Sequence, residues 1–428
     1  MDYLTIAPEK PAQLFERPPL TPRDQVRTVN RDDLHRSRLS VLFRLFMAIP
    51  HVVWLLIWGA GMAMLSPVLW VAALVAGRPP EALRELYAML VRYALHVHAF
   101  LFLAAEPFPG FLGRKPYPVD LDVPPPGPQN RWSIAFRLLL ALPALALTGY
   151  LISFGAGGGS SSTSGDTPST AGVSAGLVVT AAFLAWFFAL WRARMPQGLR
   201  DLIVWALWYA AQAWAYVFLV TGRYPNSDPA IAPLSPLPAH PVRLRITDRL
   251  RRNRWTVAFR LVLTMPHIVW LGLWSVLMVP LAIVLWLLTL VLGRTPDPLH
   301  RFAAAYVRYA SHVYAFANLG AGPFPGFVGA VGTYPVDVEF AAPEPQGRWT
   351  VLLRLLVALP ALALSSAIGG AASIGAVGSW FYSLVTGRAP EGLRNVVAFS
   401  TRYGAQTYGY LLFVTGRYPY GGPSDFRR

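Results

Sequence analysis

The chain contains no cysteine. Disulfide frameworks, thiolate metal sites and cysteine nucleophiles are therefore excluded, and the sequence carries no sign of its redox compartment. Lysine is nearly absent too: Lys10 and Lys115 are the only two, so the formal charge of +16 rests on arginine. Charged residues fill 14% of the 428 positions and hydrophobic ones 54%, whereas in soluble domains about a quarter of residues are charged. A membrane protein is the first expectation. No signal-peptide pattern opens the chain, because Arg17, Arg23, Arg27, Arg31 and Arg36 all precede the first apolar run. Residues 1–37 are expected to form a basic cytoplasmic tail, followed by an uncleaved insertion signal.

What is present is a fourfold repeat. It starts at Arg38, Arg131, Arg254 and Arg348, with a second arginine six residues later (Arg44, Arg137, Arg260, Arg354) and a proline six further on (Pro50, Pro143, Pro266, Pro360). Downstream, in register, come Arg-x-Pro at Arg78, Arg194, Arg294 and Arg388, then Tyr93, Tyr209, Tyr309 and Tyr403. Three residues beyond each tyrosine stands His96, Gln212, His312 or Gln406. Units one and three share Pro-His after the second arginine and a Pro-Phe-Pro-Gly-Phe exit, whereas units two and four share Pro-Ala and end in Thr-Gly-Arg-Tyr-Pro. A pair therefore arose first and was then duplicated. The implied division is a first membrane domain over 38–226 (units 38–130 and 131–226), a basic linker over 227–253, and a second domain over 254–428 (units 254–347 and 348–428).

Each unit holds three apolar segments, a, b and c. In unit two a polar Gly/Ser insert, Gly155 to Ser174, separates a from b; such a stretch belongs in water. Stretches 45–77, 138–191, 261–293 and 355–387 contain no Lys or Arg, and these residues mark the cytoplasmic side. Segments a and b are thus expected to form a hairpin whose tip faces outward. In segment c of unit one, Arg84, Ala88, Arg92 and His96 recur every four residues, as on a helix lying in the inner interface. The fold expected is an all-α membrane protein of four transmembrane hairpins, each followed by an amphipathic interfacial helix. That gives about eight spans, or about twelve if segment c crosses too. It would sit in a bacterial inner membrane, multi-pass, with both termini cytoplasmic.

Most of residues 38–420 resembles a bacterial family of small integral-membrane proteins of unknown function, present as two domains of two units each and best matched in units one and three, through Gly77-Arg78, Arg92-Tyr93 and Pro107-Phe108-Pro109, and through Gly293-Arg294, Arg308-Tyr309 and Pro323-Phe324-Pro325. Units two and four depart from it at the exit. The resemblance implies membrane location and fold, and no activity.

Candidate chemistry is sparse. His96-x-His98 has metal-ligand spacing, but its counterparts are Gln212/Trp214, His312/Tyr314 and Gln406/Tyr408, so a hydrogen-bonding role is expected and no metal or cofactor. Apart from Asp166 in the insert, segments a and b carry no Asp or Glu, which disfavours proton- or sodium-coupled carriage. Arg44, Arg137, Arg260 and Arg354, with Arg92, Arg308 and Arg402 in segment c, are the candidates for binding anionic lipid or another anion through bidentate hydrogen bonds; topology fixing and interfacial anchoring is the plainer role. The exits Asp120-Leu121-Asp122 and Asp337-Val338-Glu339 alternate like short strands, and a two-stranded pairing between the domains is one arrangement for them. The run Arg243 to Arg254 reads as a contact with anionic lipid rather than nucleic acid. The function expected is a non-enzymatic scaffold, accessory subunit or membrane-organising element, in contact with membrane lipids and with a larger membrane complex as a further partner. A lipid or anion transporter with pseudo-symmetric halves is the alternative.

Overall fold

A computed structural model describes residues 24–125, 127–153, 175–229 and 239–423. The Gly/Ser insert and most of the N-terminal tail lie outside these. Segments a and b, expected to form a hairpin, are one helix in unit one: α1, Arg38–Ala76, runs unbroken through Pro50 and Pro67. Unit three repeats it as α7 (Arg254–Ala258) and α8 (Arg260–Leu292), and unit four as α10 (Arg348–Leu352) and α11 (Arg354–Thr386), with a single turn residue before the second arginine. Only unit two keeps a and b apart, as α3 (Arg131–Ala135) with α4 (Arg137–Ile152), and then α5 (Leu177–Arg192). The insert is a feature of that unit alone and does not mark a turn in the others. A proline in an apolar helix removes one backbone bond without forcing a reversal. Three helices, Arg38–Ala76, Arg260–Leu292 and Arg354–Thr386, are long and apolar enough to cross a membrane.

The Gly-Arg-x-Pro signature is a stop, a turn and a start. Gly77, Gly293 and Gly387 close the long helices at φ near +70°, where a residue without Cβ is favoured. Pro80, Pro196, Pro296 and Pro390 then stand at the N-caps of the segment c helices, α2 (Glu81–Leu101), α6 (Gln197–Val217), α9 (Asp297–Ala317) and α12 (Glu391–Leu411). The reversal lies here: His51 on α1 meets Tyr93 on α2, and Arg44 meets Phe100 further along, so α2 returns antiparallel to α1.

The polar face of segment c, expected to meet headgroups, is covered by protein. In α6 every residue from Gly198 to Val217 except Trp214 is buried, and the polar faces of α2 and α9 lie under other protein. The cover is extended chain. Strand β1 (Arg27–Asn30) pairs antiparallel with β2 (Val119–Asp122), and β3 (Val242–Ile246) with β4 (Val336–Phe340). Both acidic exits are strands as expected, but each pairs within its own domain, with a strand from the basic tail or from the basic linker. Each domain is thus three layers: long helices, then the pair of segment c helices, then a two-stranded ribbon.

Within a domain the units run head to tail. Arg36 N–H donates to Ala193 O beyond the end of α5, and Gln129 N–H donates to Gly77 O at the end of α1. The second domain repeats both bonds, from Arg252 to Gly387 and from Gln346 to Gly293. Arg-x-Pro turns therefore lie at both ends of α1, not on one side as the charge pattern suggested. The domains meet layer to layer. Tyr150 on α4 donates to Ala367 O on α11 at 3.2 Å, where a Cβ on Gly370 would come within 1.9 Å of the tyrosine oxygen. Asn395 on α12 donates to Asp228 at 2.8 Å.

Candidate functional site

The second arginine of each unit, expected to reach toward headgroups, points inward. Arg44, Arg137, Arg260 and Arg354 are all at most 2% exposed. Each sits where the end of a segment c helix leaves carbonyls without an intrahelical partner. Arg44 Nη1 donates to Phe100 O and Ala105 O at 2.6 and 3.0 Å, and Arg137 Nη1 to Tyr216 O and Thr221 O at 3.2 and 3.1 Å. Arg260 Nη1 donates to Phe316 O and Ala321 O, and Arg354 Nη1 to Tyr410 O and Thr415 O. Each guanidinium also lies over the ring of the residue whose carbonyl it takes, 4.1 to 4.5 Å from its centroid. A cation at the negative end of a helix, bonded to its last carbonyls and stacked on an aromatic face, is a C-terminal clamp.

A second fourfold position, two residues before the unit start, completes the clamp. After each segment c helix the chain enters left-handed backbone at a residue other than glycine: Leu103, Leu219, Leu319 and Phe413, φ between 60° and 65°. Such a conformation costs about 1 to 2 kcal/mol for an L-residue. The carbonyl of each is held by Arg36, Gln129, Arg252 or Gln346, at 2.8 to 3.1 Å. Arg36 and Arg252 are themselves paired with Asp32 and Asp248 at 2.8 and 2.9 Å. Gln129 and Gln346 use the amide nitrogen on the carbonyl and offer the oxygen to Arg137 and Arg354. The sequence signal was available: the alternation Arg, Gln, Arg, Gln at a constant offset mirrors the pair-then-duplicate history.

Two of the segment c arginines hold the ribbon, and the third holds the C-terminal chain. Arg92 Nη2 donates to Leu121 O at 3.2 Å and Arg308 Nε to Val338 O at 2.8 Å, while Arg402 Nη2 reaches Gly422 O and Tyr420 O. The same position in unit two is Trp208, whose indole N–H donates to Val26 O at 2.8 Å. His96 and His312 meet Asp120 and Asp337 at 3.1 and 2.8 Å. Burial alone would raise these two carboxyl groups. The histidine hydrogen bonds and nearby backbone N–H groups instead hold both below the usual carboxylate range. His98 bonds back to Ala94 O in its own helix, so the two histidines of the His-x-His pair serve different partners.

All seven nominated arginines are thus engaged by protein carbonyls. Among the described residues, the four clamps bond the ends of the segment c helices. Exposed instead are the first arginines, Arg38, Arg131, Arg254 and Arg348, and those of the turns, Arg78, Arg194, Arg294 and Arg388. Beside three of them stand Trp132, Trp255 and Trp349, 74 to 78% exposed.

The model of a family described as a domain of unknown function, DUF4389, matches residues 38–113, 254–326 and 348–422, together more than half of the chain. It takes in units one, three and four. No curated protein and no solved structure matches.

Proposed function

The chain belongs to the DUF4389 family, and from that premise we propose that it is a non-enzymatic membrane-organising protein. It lies in one leaflet and binds anionic headgroups around its edge. The observation that carries this reading is where the exposed charges fall. Gly113 rests on the backbone of Tyr93, near the middle of α2, and exposed Arg114 and Lys115 follow it directly. In the second domain Arg243 faces Glu339 across the ribbon, both exposed, beside the Val338 carbonyl held by Arg308 at the middle of α9. If the helices stood along the bilayer normal, these charges and the open ribbon edges would lie at hydrocarbon depth, where neither is tolerated.

Length supports the same orientation. A helix of 39 residues is about 58 Å long at 1.5 Å per residue, about twice the hydrocarbon thickness of about 30 Å. Yet α1 exposes large apolar side chains from Leu39 to Val75, on the side away from the ribbon. Laid in the plane, the long helices immerse that entire face while the ribbon stays in water. Arginines at both ends of each long helix then lie in one headgroup layer, the cytoplasmic one by the usual bias. The exposed tryptophans beside them suit the same depth.

A wedge of this kind adds area to a single leaflet, so membrane shaping is the function it supports best. The test is reconstitution into vesicles containing phosphatidylglycerol at increasing protein density. Vesicles should shrink or tubulate as density rises. Unchanged size and shape across that range would overturn the shaping role.

A further inference from the structure

The two domains differ in the interior of their helical layers, where the repeat predicts sameness. In the first, α1, α2, α4 and α6 line a partly open cavity of about 690 Å³, within the range of small-molecule sites. Its walls include Gly59 on α1, Leu90 and His98 on α2, Thr148 and Ile152 on α4, and Leu207 on α6. In the second domain Ser275 stands at the position of Gly59, Tyr306 at that of Leu90, and Tyr314 at that of His98. The Tyr306 hydroxyl meets Ser275 Oγ at 2.8 Å, tying α9 to α8. The Tyr314 hydroxyl meets Ser400 Oγ at 2.9 Å and Gly369 O, the counterpart of Ile152, at 3.5 Å, tying α9 to α12 and α11. Two tyrosine rings thus bridge the second domain where the first leaves a space.

We propose that this cavity binds one acyl chain of a bilayer phospholipid. Segment c helices α2 and α6 pack together and form its roof, while Gly149 and Ile152 on α4 and Leu55 on α1 lie at its partly open side. The helices α1 and α4 carry exposed apolar side chains, among them Leu56 and Leu142, and in a bilayer such faces meet lipid chains. The walls are aliphatic apart from a few groups, among them Thr148, whose Oγ1 is buried without a hydrogen-bond partner. A mobile chain fills an irregular apolar space that water would fill poorly.

The test uses the full chain in nanodiscs doped with phosphatidylglycerol carrying a diazirine near the end of its sn-2 palmitoyl chain. After illumination, crosslinks should map to wall peptides of α2 and α4. The triple variant Gly59→Ser, Leu90→Tyr, His98→Tyr copies the tyrosine bridges and should cut that labelling by at least about tenfold, equal to about 1.4 kcal/mol of binding. Labelling of the outer face of α8 should not change. The converse variant, Ser275→Gly, Tyr306→Leu, Tyr314→His, should gain crosslinks on α9, and it keeps the question open to test if the first does not fold. Undiminished wall labelling in a folded triple variant would overturn the proposal. So would labelling by diazirine palmitic acid alone and not by the phospholipid.

Discussion

Arg354 donates to the carbonyl of Tyr410 at 2.7 Å while its guanidinium carbon lies 4.3 Å from the centroid of the same residue's ring. One side chain therefore closes the end of α12 through both the backbone and the side chain of a single residue. The same geometry joins Arg44 to Phe100, Arg137 to Tyr216 and Arg260 to Phe316. In an apolar setting the carbonyls at a helix end have no water to turn to, and the arginine substitutes for it.

Arg354→Ala should therefore be costly, because it takes a charged donor from the Tyr410 carbonyl and strands the Thr415 carbonyl and the Gln346 amide oxygen. A loss of about 3 kcal/mol or more is expected, at 1.5 to 3 for each bond to a charged group. Arg348→Ala, at an exposed position, should change stability by less than about 0.5 kcal/mol. Thermal unfolding in detergent reads both, and equal shifts would contradict the clamp.

Gly113 has φ +58°, and a Cβ there would come within 2.9 Å of the Tyr93 backbone; at Gly329, φ +59°, the nearest atom would be Ala305 O at 2.5 Å. Alanine at either position should destabilise by at least roughly 2 kcal/mol, through strain and displacement of the ribbon. Gly326→Ala, with open space around it and no positive φ, is the control. Urea titration of the three variants separates the cases.

Much of this was legible in the sequence. The offsets of Arg44, Pro50, Arg78 and Tyr93 gave the units, and the alternation in Asp120-Leu121-Asp122 gave the strand. The long helices are not legible from unit two, because the insert after Ser153 interrupts that unit alone and in the others the chain continues. What covers segment c is not legible, because a polar stripe on an apolar helix fits an interface and a buried ribbon equally well. Head-to-tail pairing depends on contacts such as Arg36 to Ala193, 157 positions apart in the chain, and no local pattern encodes them. The clamp partners Gln129 and Gln346 are legible two residues upstream of Arg131 and Arg348.

His240 accepts the Val242 N–H on Nδ1 at 3.0 Å, and burial, its largest influence, depresses its pKa to about 4. The folded state thus prefers the neutral ring, and the unfolded chain takes up the proton first, near the ordinary value of about 6.5. Stability from this group is complete above that value and is lost as pH falls from about 6.5 toward 4. Melting temperature measured over this range should fall more steeply for the native chain than for His240→Gln. Parallel curves would refute the assignment.

Replacing Arg78, Arg194, Arg294 and Arg388 with glutamine should weaken adsorption to phosphatidylglycerol vesicles by about 1 kcal/mol per arginine. The difference should shrink in high salt, as expected for exposed charges. Co-sedimentation at two salt concentrations measures it. Neutral vesicles should not distinguish the variant from the native chain.

The central claim is orientation, and oriented circular dichroism of the reconstituted chain in aligned bilayers tests it most directly. The account predicts the spectrum of helices lying parallel to the membrane plane, with the long-wavelength amide band near 208 nm retained as it is for in-plane helices. A spectrum in which that band is lost, as for helices along the bilayer normal, would contradict it.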